Sequence, residues 1–273
     1  MCGSNQHGQL ASKPKSQSDT GKCCVEHPTR AASLETHVID AITCGANFTV
    51  AVTKAGQMIG WGASDHGQVG APKASTPALP RIIKGLAAAR VERVAAGAAH
   101  VLALSQHFQI FSFGQGSQGA LGHSDLEDRD SPKLVEDLWC AGICAIDAGD
   151  FHSIAAAVDG RVWTWGRGKY GRLGHGDTEN CLSPKLVGSL SETPIVGVAA
   201  GGQHTVLLSQ RRRVYACGQN RAGQLGLGHD DECSVPVVVA DSESWRITQA
   251  RSPAVAHCSS HGRKIRVGIW ECP

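Results

Sequence analysis

Three histidines are the residues whose type and spacing first point to chemistry. His100, His152 and His204 lie 52 residues apart, and an imidazole can act as a general base or a metal ligand. A constant long interval places such residues on successive copies of one structural unit, so they do not converge on one site. The preceding copy has Phe48 at this position, which can pack but cannot bind a proton or a metal. The spacing therefore predicts partly buried histidines that hydrogen-bond to neighbouring backbone.

Two glycine-rich stretches have the spacing of a dinucleotide-binding loop. Residues 114–119 and 166–171 both read Gly-x-Gly-x-x-Gly, which in such a loop brings a pyrophosphate to the start of a helix. Another glycine follows each stretch within three residues, at Gly122 and Gly174, and favours a turn over a helix. We therefore expect tight turns here, with no cofactor, no metal site and no small-molecule substrate. No catalytic constellation can be assigned. Enzymatic activity therefore stays open, as the less favoured hypothesis.

These glycines belong to a repeat that runs through most of the chain. In each copy a strand of alternating large apolar residues ends at a glycine, and a second glycine lies three residues before the histidine position. The strand-ending glycines are Gly62, Gly114, Gly166 and Gly218, and those before the histidines are Gly97, Gly149 and Gly201. Apolar alternation with a turn every eight to twelve residues predicts antiparallel strands.

Four strands in a unit of about 50 residues match the size of a propeller blade. We therefore predict an all-β fold, a β-propeller of four-stranded antiparallel blades with four clear repeats and partial or degraded terminal units. A solenoid is the alternative, but the antiparallel pattern favours blades. In the copy that contains His100, the strands are expected at 90–95, 100–104, 109–113 and 133–138. The turn glycines, Gly166 and Gly171 among them, are expected to have positive φ.

The repeat divides the chain into three parts. Residues 1–41 are interpreted as a partial first repeat with a polar loop insertion, and residues 42–240 as four regular 52-residue propeller repeats. Residues 241–273 lose the pattern and are either a degraded repeat or an unrelated tail. If the two terminal units complete one blade, the result is a five-bladed ring. An incomplete arc of a larger disc is the favoured alternative.

Composition restricts the possible compartments and partners. The chain has a formal net charge of +2, and its repeat region is balanced in charge, so direct nucleic-acid binding is not expected. It contains no run of 18 apolar residues, so no membrane span is expected. Eleven cysteines without a Cys-x-x-Cys pair indicate a reducing environment, in the cytoplasm or the nucleus.

The residues that differ between copies are concentrated in the turns after the strand-ending glycines. In the third copy this turn contains Arg167, Lys169, Tyr170 and Arg172, whereas the second copy has an acidic loop with Asp125, Glu127, Asp128 and Asp130. Turns on a rigid scaffold are common binding sites, so the basic turn is a candidate for partner binding. A solvated turn is the alternative. As exposed turn charges, these side chains are expected to contribute little to folding.

The combined pattern resembles one known family. It reads small-Gly-x-x-His, then Trp-Gly-x-Gly-x-x-Gly-x-Leu-Gly-His-Gly-Asp, then Pro-x-x-Val, and residues 165–177 carry the central block. This is similar to the regulator of chromosome condensation repeat family, over about residues 1–240. The resemblance implies a β-propeller, typically of seven blades. The family's founding member exchanges nucleotide on the GTPase Ran while it sits on nucleosomes, and other members bind small GTPases, ubiquitin-ligase machinery or trafficking proteins.

The resemblance also limits what carries over to this chain. Exchangers of the founding type place acids on the propeller face, and Asp147 and Asp150 are the nearest candidates here, so Asp150 joins the partner-binding residues. The tryptophan-rich stretches of the light-sensing branch do not occur, so photoreception is disfavoured despite Trp163 and Trp165. A non-catalytic scaffold that binds other proteins is the main hypothesis. A guanine-nucleotide exchange factor or other regulator of a small GTPase is the alternative, and a chromatin-associated module is the second alternative.

Overall fold

The computed structural model describes residues 1–11, 24–25, 27, 30–73 and 75–239. This part of the chain consists of β-strands joined by turns and by short 3₁₀ helices at Ala32–Leu34, Glu136–Leu138, Lys169–Gly171 and Gly188–Leu190. The predicted all-β architecture is confirmed. The segment 241–273 and most of the polar insertion lie outside the described residues.

Sixteen of the strands form four sheets of four, which are the blades. Blade 1 contains β3 (Ile39–Cys44), β4 (Phe48–Thr53), β5 (Met58–Gly62) and β6 (Arg81–Ile82). Blade 2 contains β7 (Val91–Ala96), β8 (His100–Ser105), β9 (Ile110–Gly114) and β10 (Arg129–Leu134). Blade 3 contains β11 (Ile143–Ala148), β12 (His152–Ala157), β13 (Val162–Gly166) and β14 (Cys181–Leu186). Blade 4 contains β15 (Ile195–Ala200), β16 (His204–Ser209), β17 (Val214–Gly218) and β18 (Cys233–Val238), and a small sheet of β1 (Gly3–Ser4) and β2 (Cys24–Val25) precedes blade 1.

Every blade is an antiparallel meander in which consecutive strands pair. The first strands of neighbouring blades contact one another, so they form the inner edge of the four described blades and the fourth strands form the outer edge. The register repeats from blade to blade. In blade 3 His152 pairs with the strand-ending Gly166, and in blade 4 His204 pairs with Gly218. The two columns of the sequence repeat are therefore cross-strand partners.

The hydrophobic core lies between the blades. One cluster joins Leu102 of blade 2 to Ile146 and Trp165 of blade 3, and similar clusters join blades 1 and 2 and blades 3 and 4. Each sheet buries both of its faces only when a neighbour packs on each side. The interface between two adjacent blades, called the seam below, therefore holds most of the stabilising contact.

The bounds predicted for the fourth strand of blade 2 are wrong. In blade 2 it spans Arg129–Leu134, not 133–138, and Glu136–Leu138 is a 3₁₀ helix. Pro132 lies inside this strand, which is tolerated because an outer-edge strand does not need every N–H for a ladder. The apolar residues Val135 and Leu138 face the core from the connection that follows, so apolar residues at these positions do not mark a strand.

The turn glycines have positive φ, as predicted. Gly166 has φ of 102° and Gly171 has φ of 74°, a region that side-chain-bearing residues seldom enter. Gly171 also packs closely against the backbone of Ser234 in blade 4, where a Cβ would overlap Ser234 Cα. Gly223, the matching glycine of blade 4, has φ of 69°, but no described atom lies within 4 Å of the point that a Cβ would occupy. Positive φ is shared by the turns, whereas close inter-blade contact is specific to the seam.

We expect Gly171→Ala to destabilise the propeller more than Gly223→Ala does. Both changes place a side chain at positive φ, which costs about 1 kcal/mol. Only Gly171→Ala also forces blade 4 away, which should add about 1–3 kcal/mol. Chemical denaturation of both variants measures the difference. Equal losses of unfolding free energy would show that blade 4 does not press on this turn.

Candidate functional site

The repeating histidines connect adjacent blades through side-chain hydrogen bonds. His100 Nε2 lies 3.0 Å from Ser153 Oγ, and His152 Nε2 lies 3.1 Å from Thr205 Oγ1, each in the next blade. Ser153 Oγ donates its own proton to the carbonyl of Ala120 at 2.7 Å. It must therefore accept from His100, whose imidazole is neutral with the proton on Nε2. The predicted bond to neighbouring backbone is wrong for these two side chains, because their partners are hydroxyls across the seam.

The glycine three residues before each histidine provides the space for its ring. A Cβ at Gly97, Gly149 or Gly201 would overlap the imidazole that follows in the same blade. The N–H of Gly149 also donates to the carbonyl of His152 at 2.9 Å. The spacing Gly-x-x-His is therefore explained by a ring packed over a bare backbone, without any catalytic role.

Where the histidine is missing, its hydroxyl partner is missing too. Blade 1 has Phe48 at the histidine position, and blade 2 has Val101 at the position of Ser153. Phe48 and Val101 are both buried in the cluster between those blades. A polar pair at one seam is thus replaced by an apolar pair at another, as expected for a buried contact that must be satisfied as a unit.

We expect the apolar pair to be transferable to the seam between blades 2 and 3. His100→Phe alone leaves Ser153 without its donor and should cost about 1–3 kcal/mol. Adding Ser153→Val should recover part of this loss, because Ala120 still accepts a hydrogen bond from Trp165 Nε1 at 2.9 Å. A double-mutant cycle measures the coupling. Strictly additive losses would contradict the pairing.

Burial keeps these histidines uncharged. It lowers the pKa of His100 to about 4. It also lowers the pKa of His152 well below 6.5, with smaller contributions from the charges of Arg172 and the neighbouring histidines. The folded protein keeps these imidazoles neutral at a pH at which the unfolded chain already binds protons. The free energy of unfolding therefore falls once the unfolded chain becomes protonated.

Stability should therefore fall as the pH decreases from about 6.5 to about 4. The ordinary pKa of histidine is about 6.5, so the unfolded chain takes up the proton first as the pH falls. The free energy of unfolding then decreases until the folded state is protonated as well. For His100 the full loss is about 3 kcal/mol, at about 1.4 kcal/mol per pH unit. Unfolding free energies measured across this range in the parent and in His100→Phe/Ser153→Val test this. An identical pH dependence in both proteins would exclude His100 as its source.

The candidate partner-binding residues form one cluster in space. In each blade the loops between strands one and two and between strands three and four emerge on the same side, called the upper face. Asp150 lies in the first of these loops in blade 3, and Arg167, Lys169, Tyr170 and Arg172 lie in the second. Lys169 Nζ is 4.6 Å and Arg172 Cζ is 5.6 Å from the centroid of the Tyr170 ring. These distances are in the range of cation–π contacts.

Arg172 departs from the prediction that all these charges are exposed. Its side chain is only 1% exposed. Nε donates to the carbonyl of Lys169 at 2.9 Å, and Nη1 donates to the carbonyl of Gly202 in blade 4 at 3.3 Å. Burial and, to a smaller extent, the charge of Arg167 lower its pKa to about 10, and Asp150 and Tyr170 oppose the shift. Arg172 is therefore a charged residue of the seam, and replacing it affects folding as well as any binding.

The two acids near the inner edge have different roles. Asp147 accepts hydrogen bonds from the backbone N–H groups of Ala148 at 2.9 Å and of Ala200 in blade 4 at 2.8 Å. Burial raises the pKa of Asp147 to about 7 against the effect of those donors. Asp150 is half-buried on the upper face, where burial raises its pKa and the charge of Arg172 lowers it. Asp147 thus connects two blades, and only Asp150 belongs to the cluster.

Two members of the cluster are not among the predicted site residues. Arg221 of blade 4 lies with Cζ 5.7 Å from the Tyr170 ring, and Phe151 lies beneath Arg167 at the same distance. Arg221 stands 52 residues after Lys169. The repeat register could therefore have placed it at the same turn position of the next blade, whereas the contact of Phe151 needed the fold.

Two acids in the loop of blade 2, Asp125 and Asp128, lie close to basic side chains. Arg129 Nη2 lies 2.6 Å from Asp125 Oδ2. Asp128 Oδ2 lies 2.9 Å from His66 Nδ1 and 3.6 Å from Lys73 Nζ. Within the described part of the chain, Arg167 and Lys169 form no ion pair. The upper face therefore has an excess of positive charge at the seam between blades 3 and 4.

Comparison with known proteins agrees with this architecture. The family model for the RCC1-like domain matches residues 1–268. The chain belongs to this family. It is 36% identical over 238 residues to human "E3 ubiquitin-protein ligase HERC2", and the aligned region covers 86% of this chain and 5% of that protein. It is 34% identical over 212 residues to "Ultraviolet-B receptor UVR8" of Arabidopsis thaliana, which covers 77% of this chain and 48% of that protein. The RCC1-like chain thus spans less than half the length of either relative.

Solved structures show the same fold. Human WBSCR16 superposes with a TM-score of 0.74 at 20% identity, over 86% of this chain and 61% of that one. Prp20p from Saccharomyces cerevisiae superposes with a TM-score of 0.67 at 22% identity, over 81% of this chain and 54% of that one. At these identities the likeness establishes the RCC1-type propeller fold and nothing further.

Two further observations concern ligands and membranes. Among the described residues, no group of three or more His, Cys, Asp and Glu side chains is arranged to hold a metal ion. No helix in the same part of the RCC1-like chain has the length and apolar character that crossing a membrane requires.

Proposed function

We propose that this RCC1-like chain is a non-catalytic protein-binding module whose contact site is the cluster at the top of the seam between blades 3 and 4. The observation that carries the proposal is the unbalanced charge there. Arg167 and Lys169 have no acidic partner among the described residues, and Arg221 pairs with Glu232 at 3.2 Å but still reaches the Tyr170 ring. A solvated turn would not need this convergence from two blades.

The composition of the cluster suits a protein interface. Tyrosine and arginine are enriched among the residues that dominate binding energy, because they combine large contact area with hydrogen-bonding groups. The turns that present them are held by the blades, so little ordering entropy is lost on binding. The excess positive charge favours a partner whose contacting surface is acidic.

The comparisons support protein binding as the shared property. One solved structure is titled for the binding of Prp20p to Gsp1p and histones, and another for Kap60 bound to yeast RCC1 (Prp20). Seven cysteines of the described part, Cys2, Cys44, Cys140, Cys144, Cys181, Cys217 and Cys233, are free thiols, which is compatible with action in the cytoplasm or nucleus. We include that compartment in the proposal.

Reversing the free charges should abolish partner binding without unfolding the protein. Arg167→Glu/Lys169→Glu changes two side chains that lie outside the hydrophobic clusters, so the thermal midpoint should stay close to that of the parent. Affinity for an acidic partner should fall at least about tenfold, which corresponds to 1.4 kcal/mol. Quantitative affinity capture, followed by titration of the purified partner, measures this.

A matched control lies on the opposite face. Arg211 and Arg212 are exposed in the hairpin between β16 and β17 of blade 4, so Arg211→Glu/Arg212→Glu makes the same change in charge away from the cluster. Proteins lost with the first variant and kept with the control contact the upper face. If every captured protein responds equally to both variants, the cluster is not the binding site.

Regulation of a small GTPase is the second candidate. One support is the position of Asp150, a half-buried acid on the same face as the basic cluster. Another is that the solved structure of Prp20p is described together with its binding to the protein Gsp1p. An exchange factor prefers a nucleotide-free GTPase, because it stabilises the state that has lost the nucleotide. Capture that favours nucleotide-free over GTP-loaded GTPase, with loss of that preference in Asp150→Ala, is expected under this candidate. Capture that ignores the nucleotide state supports the scaffold, and purified histones in the same assay test the chromatin-associated alternative.

A further inference from the structure

The turn that carries Tyr170 differs chemically from its counterparts. Three of the other turns have a glutamine at the position of Arg172: Gln9, Gln68 and Gln224. In each, the glutamine Oε1 accepts a hydrogen bond at 2.9 Å from the backbone N–H two residues earlier, which belongs to His7, His66 or Ala222. The usual turn therefore directs this backbone N–H toward a side-chain acceptor.

Arg172 presents a donor where glutamine presents an acceptor. Its Nε donates to the carbonyl of Lys169, and this carbonyl shares a peptide group with the N–H of Tyr170. The two groups point in opposite directions from one planar unit. The peptide between Lys169 and Tyr170 must therefore be turned over relative to the turns that contain glutamine.

The backbone angles agree with a flipped peptide. Flipping the central peptide of a tight turn reverses the sign of φ at the residue that follows it, as in the relation between turn types I and II. Tyr170 has φ of 68° and ψ of 9°. None of His7, His66, Gln118 and Ala222, the residues at the same turn position, is among the non-glycine residues with positive φ.

Loss of glutamine alone does not produce the flip. Blade 2 has Ala120 at the position of Arg172, and its turn keeps the ordinary conformation at Gln118. The donor on Arg172 is therefore the feature that distinguishes the flipped turn. A tyrosine at positive φ is unfavourable by itself, so the hydrogen bonds of Arg172 to Lys169 and Gly202 must hold it there.

We propose that Arg172 is a positioning residue that holds the Lys169–Tyr170 peptide flipped and thereby places the Tyr170 ring between the cations of blades 3 and 4. Arg172 is buried and acts through Tyr170, which is the side chain presented to a partner. The conformational part of this inference stands on the turn geometry alone. The part that concerns binding rests on the proposed function of the cluster.

Arg172→Gln is the decisive variant, because glutamine is the residue that three other turns use. It should restore the ordinary turn, remove positive φ at Tyr170 and withdraw the ring from Lys169 and Arg221. A hydrogen bond from Lys169 and the charges of Lys169 and Arg221 lower the pKa of the Tyr170 phenol. The chain contains two tyrosines, so ultraviolet titration of the parent, Arg172→Gln and Tyr170→Phe assigns the Tyr170 transition without any partner present.

The expected result is a Tyr170 pKa that rises toward the ordinary value in Arg172→Gln, together with a loss of partner affinity equal to that in Tyr170→Ala. Arg172→Ala, which copies the turn of blade 2, should give the same titration and replaces Arg172→Gln if that variant does not fold. An unchanged Tyr170 titration overturns the conformational inference. The role in binding is overturned if Arg172→Gln shifts the Tyr170 titration but keeps its affinity for a partner that Arg167→Glu/Lys169→Glu releases. If charge reversal releases no partner, the proposed function fails and the titration still decides the flip.

Discussion

The turn carbonyls at the top of blades 2 and 3 are the acceptors on which the hydrogen-bonded seams depend. The carbonyl of Ala120 receives the hydroxyl of Ser153 and the indole of Trp165 from the next blade. The carbonyl of Arg172 receives the hydroxyl of Thr205 in the same way. A buried carbonyl without a partner is costly, so each turn is stable only while the next blade is packed against it. The glycines at positive φ aim these carbonyls across the seam, and the apolar clusters fill the space below.

This arrangement explains why the repeats vary in sets and not residue by residue. At the seam between blades 1 and 2, apolar Phe48, Val101 and Phe113 occupy the positions that hold His100, Ser153 and Trp165 at the next seam. Changing one polar member alone would leave the others unsatisfied in a low-dielectric interior. The seams are therefore of two kinds, one hydrogen-bonded and one apolar, built on the same backbone. Either kind keeps the blades in the register that brings their loops to one face.

The candidate binding site lies at the seam between blades 3 and 4, where a charged side chain is buried beside the hydrogen-bonded carbonyl. Arg172 supplies a backbone carbonyl to Thr205 like its counterparts, yet its side chain reaches into blade 4 and keeps a charge out of water. Burying a guanidinium is unfavourable unless its donors are used, and here two carbonyls use them. The result joins turn conformation, inter-blade packing and the presentation of Tyr170 in one residue. Among the residues that the structure describes, Arg167 and Lys169 beside it form no ion pair, in contrast to Asp125 and Asp128 of blade 2.

The repeat interval and the apolar alternation favoured a propeller from the sequence alone, because equal spacing of glycines, histidines and apolar columns indicates copies of one unit and the alternation indicates antiparallel strands. Positive φ at Gly166 and Gly171 was predictable for the same reason, since closely spaced glycines mark turns that other residues avoid. The boundary of the fourth strand was not, because Val135 and Leu138 are buried in a connection and burial alone does not identify a strand. The candidate site was found in sequence as a group of charges within one turn. The repeat register could have added Arg221 to this group. Only the tertiary structure showed that Arg172 is buried, that Phe151 joins the group, and that the histidines bond to hydroxyls across the seam. Those facts depend on which atoms of distant chain positions meet, and packing sets the distances between them.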